Sequence, residues 1–183
     1  MLHITVPERE LFDESTCEFI STKPRTLALE HSLVSISKWE SKWKKPFLKN
    51  DEKSLEELQD YVRCMTLTQN IPPETYKFLT TENMQDISEY MNADMTATWF
   101  NEQQLKHSRK QSSETVTSEL IYYWMVAYNI PFECQKWHLS RLMTLIRICM
   151  IKNSPTKKMS PKEVARYNRS LNAARKAQLN TRG

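Results

Sequence analysis

The residues best suited to chemistry in this chain are a Ser-x-x-Lys pattern, four cysteines and four histidines. The pattern, Ser35-Ile36-Ser37-Lys38, is typical of penicillin-binding enzymes, but their Ser-Asp-Asn and Lys-Thr-Gly partners are absent. Four-residue matches arise readily by chance, so we interpret this one as noise. The cysteines form no Cys-x-x-Cys pair, and no histidine is close enough to complete a zinc ligand pair. The sequence therefore predicts neither a nucleophilic site nor a metal site.

Glycine occurs once, at Gly183, so the sequence contains no glycine-rich phosphate-binding motif. The four histidines are isolated in the sequence and indicate surface or core positions rather than ligands. We therefore expect no enzyme activity and no cofactor. No stretch is typical of a signal peptide, and the longest apolar run, 120–127, is too short to span a bilayer. Together with scattered cysteines, this favours a soluble protein of a reducing cytoplasm that does not bind membranes.

Helices dominate the predicted fold. With 183 residues, of which 39% are hydrophobic and 26% charged, the chain suits one domain with a real core. Short alternating stretches and turn residues in 1–29 predict a small β-hairpin or meander that packs on the body. Residues 30–152 are expected to form a helical core domain with a mobile polar loop at about 101–113, and 153–183 a linker, a basic amphipathic helix and a tail. The predicted class is mainly α.

The predicted centre of this core is a buried αα-hairpin. Residues 120–127 are apolar on all sides of a helix, which is typical of a central position. The second helix is expected at about 132–151, with its polar positions in one narrow stripe. Truncation of Trp124 or Leu142 to Ala should then cost roughly 2–5 kcal/mol.

Two tryptophans, Trp39 and Trp43, are candidate partner-binding residues. They alternate with basic residues in KWESKWKKPF (38–47). Such alternation could indicate stacking on nucleic acid or an anchor for a protein partner. A helix edge packed on the body would explain the pattern as well, and the sequence leaves the three interpretations open.

Basic charge is concentrated at the C-terminal end. From Lys152 onward, nine Lys and Arg residues face one acidic residue, Glu163, so this segment carries +8 while the rest sums to −4. On a helix over about 160–178, one face is basic and the opposite face is apolar. The candidate binding residues here are Lys162, Arg166, Tyr167, Arg169, Leu171 and Lys176. A solvated helix packed on the body, an arm for a protein partner and a DNA-binding segment all remain open.

With this pattern in view, the chain resembles the tail assembly chaperones of long-tailed bacteriophages. The resemblance covers most of residues 25–176. It rests on LEHSLVSISKWESKW (29–43), CMTLTQN (64–70), MTAT (95–98), TSELIYYWM (117–125), NIPFECQKWHL (129–139), IKNSP (151–155) and LNAAR (171–175).

The resemblance implies an assembly factor of the host cytoplasm that is not part of the mature virion. It implies binding to the tape measure protein, which is kept soluble, and assistance to tail tube polymerisation, with the major tail protein and self-association as further contacts. Two other functions remain open. One is a DNA-binding or packaging protein, which the basic segment would support, and the other is a neck or tail-completion protein of the virion.

The basic helix allows a test between partner and DNA binding. If its apolar face binds a protein, Leu171→Asp should abolish capture of that protein, and neutralising Lys162, Arg166, Arg169 and Lys176 together should mainly slow association. DNA binding predicts the reverse order, with charge removal also flattening the salt dependence. Surface plasmon resonance distinguishes the two, and partner capture unchanged after truncation at Ser160 would rule out the hypothesis of a partner-binding arm.

Overall fold

The computed structural model describes residues 1–13, 17–98 and 115–153, together with 165, 166, 168, 169 and 172. Contacts within the chain define two units, Met1–Met150 and Ile151–Gly183. The predicted polar loop at 101–113 lies outside the described residues. In the second unit, the described residues between 165 and 172 are helical and exposed. Among the described helices, none combines the length and the apolar character needed to cross a membrane.

The N-terminal segment forms two nested antiparallel pairs. The strands are β1 (Leu2–Val6), β2 (Arg9–Asp13), β3 (Glu18–Thr22) and β4 (Arg25–Leu29). β1 pairs with β4, and β2 pairs with β3 within the connection between them. Alternation places one face of the outer pair in the core, so Ile4, Val6, Leu27 and Leu29 are buried.

The prediction of a mainly α class is wrong, because the fold is a mixed α/β fold. Four strands in two sheets form where a small β-hairpin or meander packed on the body was expected in 1–29. The outer sheet does more than pack on the helices. Val6, Leu27 and Leu29 are fully buried among helical residues, so the strands supply part of the core itself.

Four of the described helices begin at a Ser or Thr whose side chain accepts a backbone N–H of the first turn. The helices are α1 (Leu33–Trp43), α2 (Leu55–Met65), α3 (Thr81–Asn92), α4 (Ser118–Ala127) and α5 (Leu139–Asn153), with 3₁₀ helices at Pro73–Phe78 and Phe132–Lys136. The Ser54-x-x-Glu57 spacing predicts a capping box, and this box is present: Glu57 N–H donates to Ser54 Oγ (3.2 Å), and Ser54 N–H donates to Glu57 Oε2 (2.8 Å).

The prediction of a buried αα-hairpin is also wrong. α4 packs on α1, and α1 packs on α2, so α1 is the helix between the other two. Only Ser118, Ile121 and Met125 of α4 are buried. The expected second helix is divided, because Phe132–Lys136 is a 3₁₀ helix and Trp137 is extended before α5 begins. Leu142 is fully buried as expected, but Trp124 is only half-buried.

A buried carboxylate joins α1 to α4. Glu40 lies in the penultimate turn of α1. Its Oε1 accepts the backbone N–H of Phe47, just beyond α1, at 2.8 Å, and its Oε2 accepts the backbone N–H of Ser118, at the start of α4, at 2.8 Å. Both N–H groups are buried and depend on this side chain, which therefore fixes the N-terminus of α4 against α1.

Glu40→Ala should lower the free energy of unfolding by about 3 kcal/mol or more, since each hydrogen bond to a charged group is worth roughly 1.5–3 kcal/mol and two N–H groups lose their partner. Urea denaturation measures this. Glu89→Ala, at an exposed site of α3, is the control and should change stability by less than about 0.5 kcal/mol. A loss no larger than that of the control would contradict the role of Glu40.

Candidate protein-binding surface

The structure assigns Trp39 to the core. The side chain is 1% exposed, and its Nε1–H donates to the Glu57 carbonyl at 2.8 Å. Trp43 stacks on it, with ring centroids 6.1 Å apart, and is half-buried. Its Nε1–H donates to Asp60 Oδ2 at 2.9 Å. The two rings therefore join α1 to α2, and Trp39 presents no face to a partner.

Three of the basic residues around these rings are paired within the protein, and Lys38 is not among them. Lys42 and Arg63 each lie 2.8 Å from Asp60 Oδ1, and Lys45 Nζ lies 2.5 Å from Glu57 Oε1. Burial raises the pKa of Asp60, but the hydrogen bonds from Lys42, Arg63 and Trp43 outweigh it and the pKa is lowered overall. The alternation of basic and aromatic residues thus makes an α1–α2 contact rather than a surface for stacked bases.

The C-terminal candidates are described only in part. Arg166 and Arg169 are helical and exposed, one turn apart. Lys162, Tyr167, Leu171 and Lys176 lie outside the described residues.

An apolar surface on α4 and the 3₁₀ helix after it was not predicted. It consists of Tyr122, Tyr123, Val126 and Phe132, which we term the α4 strip. Tyr123, Val126 and Phe132 are 65%, 61% and 53% exposed. Val126 lies one turn after both tyrosines, and the rings of Tyr122 and Phe132 are 6.4 Å apart, so the four side chains are contiguous.

The α4 strip has the composition of a binding surface. Contiguous exposed apolar side chains mark interaction sites far more often than scattered ones do, and aromatic residues dominate binding energy at interfaces. Tyr122 is held in place because its hydroxyl donates to Gln135 Oε1 at 2.8 Å. The opposite face of α4 buries Ile121 and Met125, so the strip lies on a helix with a fixed orientation.

The sequence held a signal for this surface. An all-round apolar run indicated a central helix, but a helix with one face on a core and the other on a partner has the same composition. Two adjacent tyrosines favour the second interpretation, because a tyrosine hydroxyl in a core needs a partner whereas at an interface it can meet water.

A histidine pair occupies the centre of the domain. His31 Nδ1 and the Tyr61 hydroxyl are 2.5 Å apart, and the rings of His31 and His138 are 5.3 Å apart. His138 Nε2 is 3.1 Å from the Tyr90 carbonyl. Burial, and then repulsion from His138, lowers the pKa of His31 to about 4, and burial also lowers the pKa of His138. Both rings are therefore neutral at pH 7.

The remaining reactive groups do not form a site in the described part of the chain. The Ser35 hydroxyl accepts the Ser32 N–H (3.0 Å) and donates to the Ser32 carbonyl (2.7 Å), so it serves the cap of α1. No hydrogen bond joins it to the exposed Lys38. Among the described residues, no three His, Cys, Asp or Glu side chains are placed to hold a metal ion. The absence of metal, cofactor and catalysis stays a prediction.

Comparison of the chain with models of protein families, with curated protein sequences and with solved structures gives no match. The functional interpretation therefore depends on the α4 strip and on the sequence resemblance.

The neutral histidines predict an acid-labile fold. The pKa of His31 falls from 6.5 to about 4 on folding, so the unfolded state takes up a proton more readily than the folded state. The neutral His31 ring therefore contributes fully to the free energy of unfolding above pH 6.5, and this contribution is lost as the pH falls toward 4. Between pH 7 and pH 5 the loss from His31 should be about 2 kcal/mol. Urea denaturation at both values measures it.

His31→Gln should be less stable at pH 7 but should show a smaller drop between the two pH values. The control is His3→Gln, an exposed change on β1 that should retain the wild-type drop. An undiminished drop in His31→Gln would show that other groups cause the acid sensitivity.

Proposed function

We propose that this protein is a phage tail assembly chaperone, which binds the tape measure protein, keeps it soluble and assists polymerisation of the tail tube around it. The observation that supports the proposal most is the α4 strip, with Tyr123, Val126 and Phe132 exposed on a helix that the core holds in place. A chaperone of this kind needs such a surface, because it must cover apolar side chains of a partner that would otherwise aggregate.

The strip suits an amphipathic helix as its ligand. Apolar residues spaced three or four apart on a partner helix would lie against Tyr123 and Val126, which are themselves three apart. Because Glu40 fixes the start of α4 and Gln135 holds Tyr122, little ordering accompanies binding. Surfaces that are already ordered lose less entropy on association, which favours affinity.

The basic C-terminal segment has a second role in the proposal. Arg166 and Arg169 are exposed on a helix, where they can accelerate the encounter with an acidic partner. Contacts with the major tail protein and self-association belong to the same hypothesis. It puts the protein in the host cytoplasm during assembly and leaves it out of the finished virion.

Two alternatives make different predictions. A DNA-binding or packaging protein, which the exposed arginines favour, would be retained on DNA with a steep dependence on salt. A neck or tail-completion protein would be present in purified particles. Mass spectrometry of virions, together with DNA retention at two salt concentrations, separates these functions from the chaperone.

The direct test is co-expression with the tape measure protein of the same phage. The wild-type chain should increase the soluble fraction of the tape measure protein, and Tyr123→Asp/Val126→Asp should abolish the increase because two carboxylates would be buried against apolar side chains. Both sites are exposed, so the fold should persist, which thermal unfolding checks.

The matched control is Gln85→Asp/Ser88→Asp, two exposed sites of α3 with the same spacing. It should behave as wild type. A tape measure protein that is equally soluble with and without the wild-type chain would count decisively against the proposed function.

A further inference from the structure

A small apolar pocket has a lining that includes no residue of the α4 strip. It opens between the start of α1, the end of α2 and the second 3₁₀ helix, and its volume is about 270 Å³. Its lining includes Val34, Ser35, Lys38, Cys64, Leu67 and Lys136. Leu67 is an exposed apolar residue, and burial raises the pKa of the Cys64 thiol, which is therefore neutral at pH 7.

The size of the pocket limits its ligand. Pockets for small molecules and cofactors usually measure about 300–1,000 Å³, so this one falls below that range. A pocket of this size instead suits one large side chain that a partner inserts from outside, as interface anchors do.

Two lysines give the pocket an electrostatic character. Lys38 and Lys136 line it, are exposed, and take part in no ion pair among the described residues. Lys42, Lys45 and Lys49, by contrast, each contact a carboxylate. The carboxylate in the lining, Glu30, is already engaged, because its Oε2 pairs with the Met1 ammonium at 3.1 Å and its Oε1 accepts the Tyr90 hydroxyl at 2.7 Å. The pocket therefore combines an apolar interior with two uncompensated positive charges.

The walls of the pocket are held by backbone hydrogen bonds. Glu30 N–H donates to the Met65 carbonyl (3.0 Å), and Leu67 N–H donates to the Ala28 carbonyl (2.8 Å). Residues 65–68 thus lie along the free edge of β4. On the other side, the cap formed by Ser32 and Ser35 fixes the first turn of α1. The pocket is consequently formed before a ligand arrives, which lowers the cost of binding.

We propose that this pocket binds a Leu or Phe side chain of a protein segment that carries Asp or Glu on either side of it. The apolar side chain enters beside Val34 and Cys64, and the flanking carboxylates pair with Lys38 and Lys136. The proposal rests on the proposed function in one respect, that the natural partner is a protein, and it adds the chemistry of the segment that this pocket selects.

The experiment uses three synthetic peptides and the ¹⁵N-labelled full chain. One peptide has a central Leu flanked by Asp, the second has Ala in place of Leu, and the third has Lys in place of both Asp residues. The first should shift the backbone amide resonances of Val34, Cys64 and Leu67 in a saturable way. The other two should bind at least about tenfold more weakly, because each lacks one of the two contacts. No shift at these amides with millimolar peptide would overturn the proposal.

A charge exchange makes the test specific. Lys38→Glu/Lys136→Glu should reverse the preference, so that the Lys-flanked peptide binds more tightly than the Asp-flanked one. Lys23→Glu/Lys49→Glu changes the net charge equally at exposed sites outside the pocket and should leave the preference as in wild type. An unreversed preference in the first variant, or a reversal in the second, would overturn the proposal.

The outcome is independent of the α4 strip. Tyr123→Asp/Val126→Asp should bind the Asp-flanked peptide as wild type does, even if it no longer keeps the tape measure protein soluble. Conversely, a wild-type chain that solubilises the tape measure protein but does not bind the peptide would leave the chaperone function standing and remove only the pocket.

Discussion

The arrangement of this domain depends on one buried carboxylate, that of Glu40. Its two oxygens accept N–H groups from the turn after α1 and from the first residue of α4. A helix N-terminus exposes N–H groups that need an acceptor, and in the interior only another part of the protein can supply it. Since Glu40 supplies it, the rotation of α4 is set, with Ile121 and Met125 inward and Tyr123 and Val126 outward.

Buried acidic side chains also fix the contact between α1 and α2. Two acidic side chains of α2, Glu57 and Asp60, accept hydrogen bonds from Lys42 and Trp43 of α1 and from Lys45 just beyond it. Among the described residues, no buried side-chain nitrogen or oxygen lacks a hydrogen-bond partner. A fully satisfied polar network favours one arrangement of the helices over its competitors, because any shift leaves a buried group unpaired. The apolar surfaces that remain outside this network are therefore held in place.

Contacts between residues close in the sequence were predictable, whereas contacts between residues far apart in the sequence were not. The Ser54–Glu57 capping box follows from a spacing of three residues, and Asn129, just past the end of α4, adopts the left-handed backbone that is typical of this position. Glu40, in contrast, is one more charged residue in a helical pattern, and its acceptor role depends on a residue 78 positions away. The class prediction failed for a related reason, since alternation in 1–29 indicates strands but not that they carry fully buried core residues.

The same difference between local and distant contacts applies to the candidate binding residues. Trp39 and Trp43 were singled out by type and by basic neighbours, but two of those neighbours, Lys42 and Lys45, pair with α2, which the sequence of α1 does not reveal. The α4 strip was overlooked because the composition of a helix shows how apolar the helix is but does not show which of its faces packs on the core. The lysines at the small pocket are distinguished from their neighbours only by what they lack, an acidic partner within the described residues.

The distance in sequence between Glu40 and Ser118 has a consequence for synthesis on the ribosome. Chains emerge from their N-terminus, so α1 is exposed long before its second N–H partner has been made. The interior is completed later still, because the His31 carbonyl accepts the N–H of Leu139, the first residue of α5. Until then, burying the Glu40 carboxylate with one N–H partner would be costly, so we expect that end of α1 to stay hydrated in the nascent chain. The orientation of α4 is thus established only after Ser118 has been made, 78 residues after Glu40, so the α4 strip takes shape later than the contact between α1 and α2.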